Sequence, residues 1–215
     1  MYNLPYHKEH DGEAILAFIQ QYPFAFFTVC DEQNRPVATQ VPLLAEEREG
    51  TLYLTGHIMR NTDHHKALLK NPYALAVFTG PHTYVSATWY SSPKASTWNY
   101  MSVHAKGNVT FLDEEGLVAA MKKLTSHFEH NDPASSTTYD NLPASYTAPL
   151  IKAIDAFEIK VDDLDTVFKL SQDRDEASYH NIIRKLTEQG GDGKLIADIM
   201  SARAHLVFPA GEQIA

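Results

Sequence analysis

Four short polar and aromatic clusters hold most of the chemistry-bearing side chains of this sequence. They are Gly56-His57-Ile58-Met59-Arg60-Asn61, Gly80-Pro81-His82-Thr83-Tyr84, Thr97-Trp98-Asn99-Tyr100 and Lys169-Leu170-Ser171-Gln172-Asp173-Arg174. The first lies where a strand pattern gives way to a short helical one, a place with free backbone N–H groups. With His57 and Arg60, those groups would suit a phosphate carrying about −1.5 to −2 charges. Trp98, Asn99 and Tyr100 join flat apolar area to amide donors and acceptors, which a planar heteroaromatic ring needs along its face and edges. Lys169, Gln172 and Arg174 end a strand and begin a helix, where they either cap the helix start or bring cations to a ligand.

Other chemistries lack their residues. The chain has 11 histidines but no His-Glu-x-x-His, and no helix sets two histidines and a carboxylate in a ligand order, so no metal site is expected. His64 and His65 are adjacent, pointing about 100° apart on a helix, and are read as solvated, as are His127 and His130. There is no Gly-x-Ser-x-Gly, no phosphate loop and no dinucleotide fingerprint. Cys30, the one cysteine, sits in an apolar strand pattern that disfavours a thiolate and has no internal disulfide partner, which suits a reducing compartment. No run reaches the ~18 apolar residues of a membrane span, so a cytoplasmic protein is expected. Eighteen Lys and Arg against 27 Asp and Glu give a net charge of −9, the wrong sign for a phosphate-driven grip on DNA.

The elements that must position these clusters follow from periodicity. Length 215, 44% hydrophobic and 21% charged residues describe a globular chain with a real core. Ile15, Phe18, Ile19 and Tyr22 mark one helix face between Asp11 and Pro23. Residues 24–30, 36–44 and 51–55 read as strands, with turns at Asp31–Arg35 and Glu46–Gly50, and residues 61–69 as a short helix. Strands are predicted over 73–79, 84–89 and 98–112, with Gly107 as a bend or bulge. Asp113–Phe128 is a helix, Leu142–Ala156 another despite Pro149, 157–161 and 167–170 two strands, and 173–189 and 194–204 the last helices. So many strand edges call for a closed or nearly closed antiparallel sheet.

In order, Arg35-Pro36-x-Ala38-Thr39, Gly56-His57, Arg60, Gly80-Pro81-His82-x-Tyr84, Trp89-Tyr90, Thr97-Trp98-Asn99-Tyr100, Val103-His104 and Lys169-Leu170-Ser171-Gln172 resemble the PaiB family. These are FMN-binding proteins described as negative transcriptional regulators, and the resemblance runs from Met1 to about Leu186. It implies the FMN-binding split barrel shared with pyridoxamine phosphate oxidases: a mainly β, α+β fold with a six-stranded antiparallel Greek-key barrel, a homodimer, and FMN at the subunit interface. The resemblance places the flavin against Thr39, Gln40 and Val41, and the strand end and phosphate position on Thr55 and Arg60. Asn61 stands where a second basic group is usual. His57, Trp98, Asn99, Tyr100, Lys169, Gln172 and Arg174 complete the expected cofactor set. The chain departs from the family pattern at Asn61, Thr62, His65, Ser96, Lys106 and Asp173.

The expected organisation is one FMN-binding split-barrel domain over 1–189 with flanking helices, and a helical extension over 190–215 packed on it. The leading function is an FMN-binding regulator or flavin-dependent sensor with a small-molecule effector or substrate. The alternatives are an FMN-dependent oxidoreductase of the pyridoxamine phosphate oxidase type and a haem-binding split barrel with His57 or His104 as axial ligand. Catalytic residues are not assigned.

Overall fold

The structure, a computed structural model, describes residues 2–209. The expected opening Met1 and the end of the expected tail, 210–215, lie outside the described residues. Seven strands carry the fold: β1 (Phe24–Cys30), β2 (Pro36–Pro42), β3 (Leu44–Arg48), β4 (Thr51–Met59), β5 (Tyr73–Val85), β6 (Thr97–Phe111) and β7 (Ile154–Lys169). They form a sheet in the order β2-β1-β5-β6-β7-β4-β3, with β1–β2, β1–β5, β3–β4 and β4–β7 antiparallel. The helices are α1 (Gly12–Gln21), α2 (Asp63–Leu68), α3 (Glu114–Phe128), α4 (Ala144–Ile151), α5 (Glu176–Gln189) and α6 (Gly191–Val207). Among the described residues no helix is long and apolar enough to cross a membrane.

The mainly antiparallel sheet with flanking helices agrees with the sequence, whereas the six-stranded closed barrel does not. Seven strands are present and the sheet is open, with β2 and β3 at its edges. The extra strand arises at one residue. The pattern 36–44 reads as a single strand, but its pairing with the β1 side ends at the fully buried Leu43, whose N–H donates to the Pro23 carbonyl (2.9 Å), the rung after Phe24–Pro42. Beyond that rung the chain changes partner and restarts as β3, with Leu44 opposite Thr55 of β4. The turn expected over 46–50 narrows to Glu49-Gly50, with φ of 52° and 74°, the two-residue hairpin form whose twist matches its strands. Gly80-Pro81 does not interrupt β5, and the two strands expected near 157–170 are one. Gly107 lies within β6, where a Cβ would run into the Lys160 carbonyl of β7, so close backbone approach is what requires glycine there.

The described residues form two compact units. One comprises 16–78 and 104–164. Its core stacks Phe27 on Phe157, with centroids 4.8 Å apart and planes at 14°, and buries Leu43, Leu54 and Ile159 completely. Asp113 caps α3 by accepting the Gly116 N–H (2.8 Å), and the apolar stripe of α3 sets Leu117, Ala120 and Met121 on Ala156.

The other unit comprises 2–15, 79–103 and 165–209. Asp175 caps α5, accepting the Ser178 N–H (2.9 Å) and the Ser91 hydroxyl (2.9 Å). Those bonds, the Ser178 N–H first, hold its carboxyl down at about 2. α5 packs on α6 through Tyr179, which donates to the Met200 carbonyl (2.9 Å) and whose burial pushes its phenol up to about 12. The N-terminal segment is tied down by Lys8 to Asp165 (2.5 Å) and Glu9 to Arg203 (2.6 Å).

Candidate functional site

In the first unit, β2, β4 and the start of α2 enclose a concavity of about 320 Å³, lined among others by Thr39, Gln40, Val41, His57, Thr62 and His64. Strand alternation puts Thr55, His57 and Met59 on one face of β4. The Nδ1 of His57 and both ring nitrogens of His64 are buried and have no hydrogen-bond partner among the described residues. Burial pushes both imidazoles below the ordinary histidine value, and Asp63 draws His64 back only in part. They are therefore neutral at pH 7, each with one donor and one acceptor. The His64 ring is fixed by stacking on Phe27, 4.7 Å away at 28°. An unmet buried polar atom costs about 1–3 kcal/mol, and three of them belong to two residues that line this one concavity.

The sequence places His64 and His65 in solvent, yet both are buried, because α2 packs against β1 and β2 rather than standing free. His65 Nε2 lies 2.9 Å from Asp155 Oδ2. The same carboxylate binds Arg60 Nη2 at 2.7 Å, and Arg60 Nε donates to the Ile154 carbonyl (3.0 Å). The guanidinium expected to capture phosphate is thus already paired, although its side chain remains 44% exposed.

The expected cradle of free backbone N–H groups is not formed. β4 continues to Met59, and Gly56 to Met59 pair with Phe157 to Ile154 of β7. Arg60 N–H donates to Ala153 O (2.9 Å) and Asn61 N–H to His65 Nδ1 (3.4 Å). Gly56 instead makes room for the core, since a Cβ there would meet Leu43 Cδ2 at 2.6 Å. Asn61 adopts φ 64°, which asparagine tolerates, and Thr62 caps α2 by accepting the His65 N–H (3.2 Å). Both departures from the family pattern have local structural uses. Thr55 sits in register with Leu44 and Glu158.

The remaining expected residues gather in the second unit, and most are engaged with one another. Asn99 is fully buried; its Oδ1 accepts the Ser171 hydroxyl (3.0 Å) and its Nδ2 approaches Met200 Sδ (3.5 Å). Gln172 closes the turn after β7, donating to Phe168 O (2.5 Å) and accepting from Leu170 N–H (2.7 Å), with His7 Nδ1 at 3.2 Å. Lys169 donates to Thr97 Oγ1 and to Trp98 O (2.8 Å), and burial lowers its pKa. Arg174 pairs with Asp173 (3.0 Å) and lies 4.6 Å over the Tyr90 ring, while its buried Nε has no partner. Trp98 is exposed, its Nε1 donating to His82 Nδ1 (3.3 Å) with Tyr84 edge-on at 6.1 Å. Tyr100 is half-buried, and burial first, then Tyr2, raises its pKa.

Sequence reasoning missed His64, the residue with the most unmet capacity. Its adjacency to His65 looked like surface, and only the packing of its ring on Phe27 reveals otherwise.

Comparison with known proteins sets these groups in context. Residues 1–163 match the family described as "Putative FMN-binding domain". The chain is 33% identical over 202 residues to Protease synthase and sporulation protein PAI 2 of Bacillus subtilis (strain 168), covering 93% of this chain and 96% of that protein. It belongs to this FMN-binding family, of the PaiB type, and FMN is its cofactor. Among solved structures, the flavocytochrome Anf3 from Azotobacter vinelandii superposes with a TM-score of 0.57 at 17% identity, covering 84% of this chain and 78% of that one. The FAD and Heme binding protein from Mycobacterium smegmatis gives 0.55 at 17%, covering 76% and 73%. At that identity the likeness is one of fold. The concavity fits FMN: the Thr39 hydroxyl, the Gln40 amide and neutral imidazoles offer donors and acceptors, and Val41, Ile58 and Met59 supply apolar contact.

Proposed function

We propose that this chain is a homodimeric, split-barrel flavoprotein of the cytoplasm that uses FMN as a sensor in transcriptional control, acting through a partner rather than by gripping DNA. The observation that carries the reading is the buried, partnerless set of His57 Nδ1 and the two His64 nitrogens beside Thr39, Gln40 and Val41. Bound FMN supplies one- and two-electron transfer. The chain's residues hold and orient it. The neutral imidazoles bond its polar atoms without adding charge, and Arg60 contributes to the phosphate only in competition with Asp155. In the second unit, exposed Trp98 is the member of its group with a ring free for a planar ligand.

Two features support the dimer and the indirect role. Phe24 and Phe26 lie on one face of β1, 57% and 45% exposed, opposite Pro42 and Gln40 of β2. An apolar face adjoining a residue of the concavity favours a second copy as its cover, which would place FMN at a subunit interface. The net charge of −9 opposes direct DNA binding. A titration with FMN and riboflavin by flavin fluorescence, with mass measured by light scattering, tests the proposal. The expected result is a dimer binding one FMN per chain, about tenfold tighter than riboflavin; a monomer, or absence of saturable binding, overturns it.

A further inference from the structure

A second cavity, of about 330 Å³, shares His57 and Met59 with the flavin concavity but has different walls: Met121 of α3, Ile154 of β7, and α4 with the loop before it. Tyr146 and Leu150, four apart on α4, fall on one side, and both line the cavity together with Leu142 of the loop before it. α4 is lightly held. None of its residues is buried, its start at Pro143 has no side-chain cap, and Pro149 removes a backbone N–H from within it. Met59, Tyr146 and Leu150 remain 62%, 56% and 47% exposed around this single hollow, an apolar stripe whose burial is incomplete.

The chemistry of the walls defines the guest. No Asp, Glu, Lys or Arg lines the cavity, so a charged molecule would lose its hydration without compensation. Thr125 is already engaged, donating to Met121 O (2.9 Å) and accepting the Tyr139 N–H (2.9 Å). His57 Nδ1, on the wall shared with the flavin concavity, is the buried polar atom left to bond. A flat apolar face would suit another chain; a hollow of this size stands at the small end of ligand pockets, ~300–1,000 Å³. We infer that this cavity binds a neutral, largely apolar ring compound carrying one hydrogen-bonding group that meets His57, with α4 as its cover. The inference needs no flavin, but with FMN bound the shared wall makes this the effector site of the proposed sensor.

The test titrates 1-naphthol into the full-length protein, with and without saturating FMN, using 1-naphthalenesulfonate as the charged control. Saturable binding near one naphthol per chain is expected; FMN, which also draws on His57, should weaken it by no more than about tenfold, and the sulfonate should bind at least about tenfold more weakly than naphthol. Leu150→Arg, at an exposed wall position, should weaken naphthol about tenfold while leaving thermal unfolding and FMN binding unchanged. His57→Phe should weaken naphthol about tenfold and leave naphthalene unaffected. Complete displacement of naphthol by FMN would overturn the inference by putting the probe in the flavin concavity. So would a Leu150→Arg variant that binds naphthol normally, or one that turns a dimer into a monomer, which would make the face a self-association surface. A protein that binds naphthol but no FMN keeps the cavity and removes the flavin reading.

Discussion

The concavity around Thr39, His57 and His64 and the turn around Asn99, Ser171 and Gln172 are both built around uncharged polar side chains, and they differ in how those groups are bonded. In the turn, Asn99 meets Ser171 and Met200, and Gln172 meets Phe168 and Leu170. In the concavity, His57 and His64 keep three buried nitrogens without a partner among the described residues. A satisfied buried network specifies a conformation, whereas an unsatisfied one costs stability until something binds it. Two motifs that look equally functional as strings of letters therefore have different physical meanings. The first holds the chain after β7 in place, with Ser171 at φ 62°, and the second keeps hydrogen-bonding capacity unused among the described residues.

The largest effect that would break this contrast is expected at Asn99. Asn99→Ala removes a fully buried amide and strands the Ser171 hydroxyl, so urea denaturation should show a loss of about 2–4 kcal/mol. FMN affinity of the folded protein should not change. A large drop in FMN affinity at intact stability would move Asn99 into the cofactor site.

His64→Phe should behave in the opposite way. The ring keeps its stack on Phe27 and loses two unmet polar atoms, so stability should rise by about 1 kcal/mol. FMN should bind about tenfold more weakly. Loss of stability with FMN binding intact would make His64 structural and erase the difference between the regions.

The pH response sharpens the comparison further. Burial depresses His57, His64 and His7, the last partly offset by its bond to Gln172. For each, the unfolded chain, titrating near ~6.5, binds a proton before the folded one does. Stability from these groups is therefore present above about pH 6.5 and is lost as pH falls below it. Chemical denaturation at pH 7.5, 6.5 and 5.5 should show the decline, with a shallower slope in His64→Phe. The smallest effect is expected at Asp175, whose folded value of about 2 lies below the ordinary carboxyl value. Its contribution is present above the unfolded value of about 3.9 and disappears only as pH falls toward 2. Asp175→Ala should lower Tm by about 2–4 °C at pH 7 and leave flavin binding alone.

Much of the scaffold was legible in the sequence because it rests on local periodicity. The apolar stripe of α3, the acidic residues at its N-terminus and the alternation of β1 each follow from side chains a few residues apart. The strand count was not, because the division after Leu43 depends on Leu44 pairing with Thr55 of β4 and on the room Gly56 leaves for the Leu43 side chain, which only the folded sheet supplies. In the site, Thr39, Gln40, Val41 and His57 do share one concavity. Arg60 and Asn99 could be named but not interpreted, since their partners Asp155 and Ser171 lie far along the chain. His64 was invisible for the same reason, as its environment is set by Phe27.

Long-range ¹⁵N–¹H spectra of the histidine rings, recorded while FMN is added, test the central claim most directly. His57 and His64 should shift to saturation at one FMN per chain, while His7, already bonded to Gln172, stays where it is. Saturation with FMN that leaves both His57 and His64 unmoved would contradict the account.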